Sequence, residues 1–93
     1  MNRRDVKKDI NFLVSEVITE AYTASVMFSK IKEEDVTAII NDALEMRNQM
    51  LTRVNNIEGK DDPKKVKAHY RQLYTDLMGT TTQLLDRCGQ LTK

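Results

Sequence analysis

The chain has 93 residues, 40% hydrophobic and 31% charged, and its 15 basic and 14 acidic side chains leave a net charge of +1. This is the composition of a chain that folds around one core rather than a disordered one, and its near-neutral charge excludes a global field that would draw it to nucleic acid or membrane. No stretch approaches the roughly 20 apolar residues of a membrane span, and the single Cys88 excludes an internal disulfide, so we expect a cytoplasmic protein without a membrane segment.

The first predicted element is a helix over about residues 5–29. Apolar residues recur at steps of three and four from Val6 to Ile31, which is the pattern of one helix face. The turn that follows contains no Gly or Pro, and it is inferred mainly from the acidic run at 33–35, which is typical of a helix first turn. Without this turn the first two helices would form one rod of about 80 Å that requires oligomerisation. Helix-length statistics favour a chain that folds back.

The second predicted helix covers about residues 34–57. Its apolar stripe is interrupted at one position only, and we assign to it Val36, Ile40, Ala43, Arg47, Met50, Val54 and Ile57, with Ile39, Leu44 and Leu51 beside it. Because Arg47 stands where an apolar residue is expected, it must snorkel, pair with an acid or face a partner subunit. Gly59 favours the end of this helix, since glycine readily adopts the left-handed conformation that closes helices.

The third predicted helix covers about residues 63–91. Asp62 can cap it, and Pro63 suits the first helical position because its missing N–H has no partner there. The run Gly-Thr-Thr-Thr at 79–82 has poor helix propensity, so we expect a local bend or a close helix approach at that point. Together the three stripes predict an all-α fold, an up-down-up bundle of three long antiparallel helices that forms one domain over residues 1–93.

The residue inventory offers no constellation for catalysis. His69 and Cys88 are the only residues of their types, and they lie 19 positions, or about 28 Å, apart on the third helix, which excludes a catalytic pair within one chain. His69 has no metal-ligating neighbour one turn away, and Cys88 near the apolar stripe fits a small hydrophobe. Glu16 and Glu20 share a helix face but lack the Glu-x-x-His partner of di-iron bundles. We therefore predict no enzymatic activity, no cofactor and no metal.

The predicted fold separates charge between its two ends. The starts of the first and third helices and the end of the second meet at one end, where ten basic and five acidic residues give +5, while five basic and nine acidic residues elsewhere give −4. Lysines at the start of a helix oppose its dipole, so helix stability does not explain them, and solvation of a charged surface is the commoner explanation beside a functional one. We call this end the basic pole. Its candidate polyanion-binding residues are Arg3, Arg4, Lys7, Lys8, Lys60, Lys64, Lys65, Lys67 and Arg71.

Two functional hypotheses follow. The first is a non-catalytic helical interaction or structural protein that binds another protein or itself, with an antiparallel homodimer favoured because it lays each basic pole against the acidic half of the other copy. The candidate interface residues are Arg47, Met46, Met50 and Tyr22, since Met and Tyr suit an adaptable surface, although at helical spacing they more often belong to a core. The alternative is weak binding of a polyanion such as nucleic acid at the basic pole, without a helix-turn-helix pattern or an aromatic stacking platform to support it.

Overall fold

The computed structural model describes residues 2–57 and 59–93. It contains three helices, α1 over Arg3–Met27, α2 over Glu33–Asn55 and α3 over Pro63–Leu91, and no strand among the described residues. The predicted all-α class is confirmed. The predicted span of α1 lies two residues too late at both ends, that of α2 starts one residue late and ends two late, and that of α3 agrees with the structure.

Contacts between α2 and α3 show that these helices are antiparallel. The guanidinium group of Arg53 donates to Asp76 at 2.8 Å, and that of Arg87 donates to Asp42, which precedes Arg53 on α2. Hydrogen bonds from Gln72 and Arg53 hold the pKa of Asp76 below its usual range. Both ion pairs are partly exposed to solvent, so neither contributes much to stability. The two pairs show which residues of α2 and α3 lie opposite each other.

Contacts between α1 and α3 show that these helices are parallel. Tyr74 donates from its hydroxyl group to Asp9, and further along both helices Cys88 donates from its thiol to the backbone oxygen of Val17. Since α2 runs opposite to α3, it also runs opposite to α1. The chain is therefore the expected up-down-up bundle, a rod of 53 × 18 × 17 Å.

The core lies along the axis of this rod. Its largest fully buried side chains come from all three helices, and they are Val6, Ile10, Val17, Ile39, Val54, Leu73 and Leu77. Burial of one such side chain contributes about 1.5–3 kcal/mol. In α2 the buried stripe differs from the predicted one, because Met46 rather than Arg47 and Ile39 rather than Ile40 face the axis. Each exchange moves one position of the stripe by about 100° around the helix, whereas Val36, Ala43, Met50 and Val54 are buried as predicted.

Local capping explains where α1 and α3 begin. The side chain of Asn2 accepts a hydrogen bond from the backbone N–H of Asp5 at 2.9 Å, so α1 starts earlier than the apolar pattern indicates. Asp62 accepts from the N–H of Lys64 at 3.0 Å, with Pro63 in the first turn. Both cap residues satisfy a donor that has no partner inside its helix.

The two connections between helices differ in chemistry. After α1, Phe28 takes an extended conformation and the N–H of Ile31 donates to its carbonyl oxygen at 3.2 Å. This turn contains no Gly or Pro, yet it separates α1 from α2, which excludes the continuous rod. After α2, Gly59 adopts a left-handed φ of 68°, and its carbonyl oxygen accepts from the N–H of Asp62 at 2.8 Å.

The helix α3 continues without a break through the Gly-Thr-Thr-Thr run. The close approach expected at Gly79 is wrong, since a Cβ atom added there would meet no atom within 4 Å. Thr81 is buried instead, and its hydroxyl group lies 3.7 Å from the sulfur of Met46 on α2. The run is therefore tolerated because one threonine packs inward and finds a partner while Gly79 faces solvent.

Candidate interaction surfaces

The basic pole lies where the first halves of α1 and α3 run side by side. Eight of its nine candidate cations are exposed, and Lys7 is half-buried. Within residues 2–57 and 59–93, none of the nine forms an ion pair. The hydrogen bond between Tyr74 and Asp9 joins the two helices here, at 2.5 Å from oxygen to oxygen. Burial and this bond to a carboxylate raise the pKa of Tyr74 to about 12.

The four candidate interface residues have different environments. Met46 and Met50 are buried in the core, so their side chains pack within the chain and are not available to a partner. Arg47 is half-buried, and its Nε donates to the side-chain oxygen of Asn11 on α1 at 2.9 Å. It therefore pairs with an amide in its own chain, which is neither an acid nor a partner subunit. Only Tyr22 presents most of its side chain to solvent.

Tyr22 belongs to an exposed surface of α1 that was not predicted from the sequence. Five exposed residues follow one another at steps of three and four, and we name them the outer seam: Phe12, Ser15, Thr19, Tyr22 and Val26. At 100° per residue this seam lies on the side of α1 opposite its buried stripe. Between residues 10 and 29 the only charged side chains are Glu16 and Glu20. The 3-4 repeat of the seam was present in the sequence, but its two hydroxyl residues concealed it.

A groove runs along the first half of α3. Its volume is about 660 Å³, and it is lined by Pro63, Val66, Lys67, Tyr70, Arg71, Tyr74 and Thr75. Val66, Tyr70 and Tyr74 form its apolar part, whereas Lys67 and Arg71 are exposed beside them. The groove therefore combines a mostly apolar lining with two cations of the basic pole.

His69 and Cys88 each contact the backbone of a neighbouring helix. The Nε2 atom of His69 lies 2.8 Å from the backbone oxygen of Arg53, in the last turn of α2, where carbonyl groups have no partner within the helix. Cys88 is buried against Val17, and burial, together with the nearby charge of Glu20, raises the pKa of its thiol. Both side chains therefore make contacts within the bundle, His69 with α2 and Cys88 with α1.

The carboxylates of residues 2–57 and 59–93 do not converge on one point. Among the described residues, no group of three or more His, Cys, Asp or Glu side chains is arranged to hold a metal ion. The acidic run at 33–35 forms the first turn of α2, where negative charge suits the helix dipole. Among all the helices that the structure describes, none is both long enough and apolar enough to cross a bilayer. Comparisons with protein-family models, with curated proteins and with solved structures found no match to this chain.

Proposed function

We propose that the chain is a non-catalytic helical interaction protein that associates with a second copy of itself through the outer seam. The observation that carries this proposal is the exposure of large apolar side chains on one side of α1, with Phe12 60%, Tyr22 64% and Val26 67% exposed. Single apolar residues are ordinary on a protein surface, but a row of them at helical spacing offers a stripe to another helix.

An antiparallel pairing of two seams about Thr19 suits the sizes of the side chains. It sets Phe12 of each copy near Val26 of the other, and Tyr22 near Ser15. A large side chain thus meets a smaller one along a contact of about 21 Å. The hydroxyl group of Ser15 donates to the backbone oxygen of Phe12 at 2.7 Å, which satisfies it without a partner molecule. The small residue at the centre allows the two helices to approach closely.

Charge favours the same orientation. In the antiparallel dimer the basic pole of each copy lies near the acidic first turn of α2 in the other, where Glu33, Glu34 and Asp35 are all exposed. A parallel dimer would instead bring the two basic poles together. Complementary charge affects mainly the orientation and the association rate, while the apolar seam supplies the affinity.

The experiment is sedimentation equilibrium at tens of micromolar protein in low salt. We expect a dimer for the natural chain and a monomer for the double variant Phe12→Lys/Tyr22→Lys, because two charges in the seam would have to be desolvated. The control is Asn41→Lys/Asn48→Lys, which adds the same charge at two exposed positions of α2. This control should still form the dimer. A monomeric natural chain, or equal loss of the dimer in both variants, would contradict the proposal.

The exposed cations of the basic pole favour a second candidate function, the binding of a polyanion such as nucleic acid. Its test is a mobility-shift titration with duplex DNA and with RNA over a range of salt. Binding through released counterions weakens steeply as salt rises. Lys60→Gln/Lys64→Gln should reduce the salt dependence, whereas Lys30→Gln/Lys32→Gln at the other end should not. Absence of any retardation in low salt would eliminate this candidate.

We also propose a cytoplasmic location. Its support is that the one cysteine of the chain is free, as is usual for proteins of a reducing compartment. Immunofluorescence or fractionation of the native cell would test it, and recovery of the chain with secreted or envelope proteins would refute it.

A further inference from the structure

The groove on α3 has the size and lining of a small-molecule site. Ligand pockets typically have volumes of about 300–1,000 Å³ with a mostly apolar lining and a few polar groups that fix orientation, and this open groove has a volume of about 660 Å³. It extends from Pro63 to Thr75, which is about 18 Å along the helix. Since its lining residues come from one half of one helix, it offers a protein partner much less than the roughly 800 Å² per side of a standard interface.

The two cations of the groove determine the charge of its ligand. Lys67 and Arg71 are four residues apart, so they lie on the same helix face with about 5–6 Å between their Cβ atoms. Like charges at this spacing repel each other, and neither residue forms an ion pair with the described residues. One anionic group placed between them would accept hydrogen bonds from both and remove the repulsion.

The acid of α1 that contacts a lining residue of the groove does not occupy this position. Asp9 lies beside Tyr74, seven residues beyond Lys67 on α3, and its carboxylate accepts the hydrogen bond from the Tyr74 hydroxyl. That bond directs the polar end of Tyr74 towards α1, which leaves its ring to contribute to the apolar lining. An anion would therefore sit in the middle of the groove, between Lys67 and Arg71, with its apolar part against Val66 and Tyr70.

We propose that this groove binds a small amphipathic anion. A single carboxylate, sulfonate or phosphate group lies between Lys67 and Arg71, and an aliphatic or aromatic body covers Val66, Tyr70 and the ring of Tyr74. This site is on α3, apart from the outer seam of α1, and binding there does not depend on the dimer.

The test compares two fluorescent dyes with the same rings and different charge, 1-anilinonaphthalene-8-sulfonate and the uncharged N-phenyl-1-naphthylamine. We expect one saturable site per chain for the sulfonate, with the uncharged dye bound at least about tenfold more weakly. Dodecanoate should displace the sulfonate dye at lower concentration than dodecanol does. Equal affinity for the two dyes would overturn the proposal, because it would mean that the cations take no part.

Variants locate the site. Lys67→Gln/Arg71→Gln should weaken sulfonate binding about tenfold, a loss of about 1.4 kcal/mol, and leave the uncharged dye unaffected. Lys30→Gln/Lys32→Gln removes the same charge at the opposite end and should leave both affinities unchanged. The variant Phe12→Lys/Tyr22→Lys should retain the site. If this seam variant loses the dye while Lys67→Gln/Arg71→Gln keeps it, the dye binds to the seam and the proposal is wrong.

Discussion

The hydroxyl group of Tyr74 donates a hydrogen bond to the carboxylate of Asp9, and this bond joins α3 to α1 between residues 65 positions apart in the chain. It lies beside the proposed groove and at the basic pole, so it links the fold of this end to both candidate binding surfaces. Because burial and the carboxylate both oppose ionisation, the pKa of Tyr74 rises from 10 to about 12.

The raised pKa makes the stability of the fold sensitive to alkaline pH. The folded chain holds the Tyr74 proton more tightly than the unfolded chain does, so this stabilisation is complete below pH 10 and is lost as pH rises from 10 to 12. We expect Tyr74→Phe to lower the free energy of unfolding by about 1 kcal/mol at pH 8 and to show a smaller difference from the natural chain above pH 10. Urea unfolding at several pH values measures this.

Tyr22→Phe is the matched control at protein concentrations too low for the dimer, since this tyrosine of the outer seam is exposed in the single chain. The control should follow the natural chain at every pH. A difference between Tyr74→Phe and the natural chain that stays constant from pH 8 to 12 would show that ionisation of Tyr74 is not coupled to folding.

The parts of the fold that could be predicted are those determined by residues close together in the sequence. Apolar spacing identified all three helices, and Asp62 with Pro63 gave the start of α3, because capping involves residues two or three positions apart. The end of α1 was placed too late since Phe28 and Ile31 continue the apolar spacing. Ile31 packs against the core from the turn rather than from the helix, so its burial does not require helical backbone.

The parts that could not be predicted depend on contacts between residues far apart in the sequence. The partner of Arg47 is Asn11, 36 positions away on another helix, and only the packing angle of α1 against α2 brings them together. The same angle decides that Met46 faces the axis and Arg47 its flank. The groove on α3 likewise depends on a distant contact, because Asp9 of α1 holds the polar end of Tyr74 and leaves its ring in the lining.

Two glycines should respond in opposite ways to substitution by alanine. Gly79 lies inside α3 with open space around its Cα, so Gly79→Ala should raise the free energy of unfolding by about 0.5–1 kcal/mol through better helix propensity. Gly59 has a φ of 68°, and a Cβ atom there would lie 2.7 Å from the side chain of Lys65, so Gly59→Ala should lower stability by about 1 kcal/mol or more. Thermal and urea unfolding by circular dichroism measure both. Stabilisation by both substitutions would refute the turn geometry at Gly59.

His69 should stabilise the end of α2. Its ring nitrogen bonds to the backbone oxygen of Arg53, so His69→Ala leaves a carbonyl group in the last turn without this partner. We expect a loss of about 0.5–1.5 kcal/mol, measured by urea unfolding, together with faster amide exchange in the last turn of α2. Gln83→Ala is the control because Gln83 lies exposed on α3, the helix that carries His69. This substitution should change stability by less than about 0.5 kcal/mol. Equal effects of the two substitutions would show that the bond contributes nothing.

Cys88 should be unreactive while the chain is folded. The thiolate is the reactive form of cysteine, and burial of the side chain, with the charge of Glu20 nearby, raises the pKa of this thiol. A disulfide reagent at pH 8 should therefore react at least about a hundredfold more slowly with the native chain than with the chain in denaturant, because reaction requires local opening of α3 from α1. The variant Cys88→Ser, which has no thiol, fixes the background rate.

The extent of the opening can be measured with a second substitution. A destabilising substitution such as Gly59→Ala should accelerate the reaction of Cys88 if the whole chain must unfold, and leave the rate unchanged if only the end of α3 opens. Reaction of the native chain at the rate of the denatured chain would show that α3 does not cover this thiol in solution.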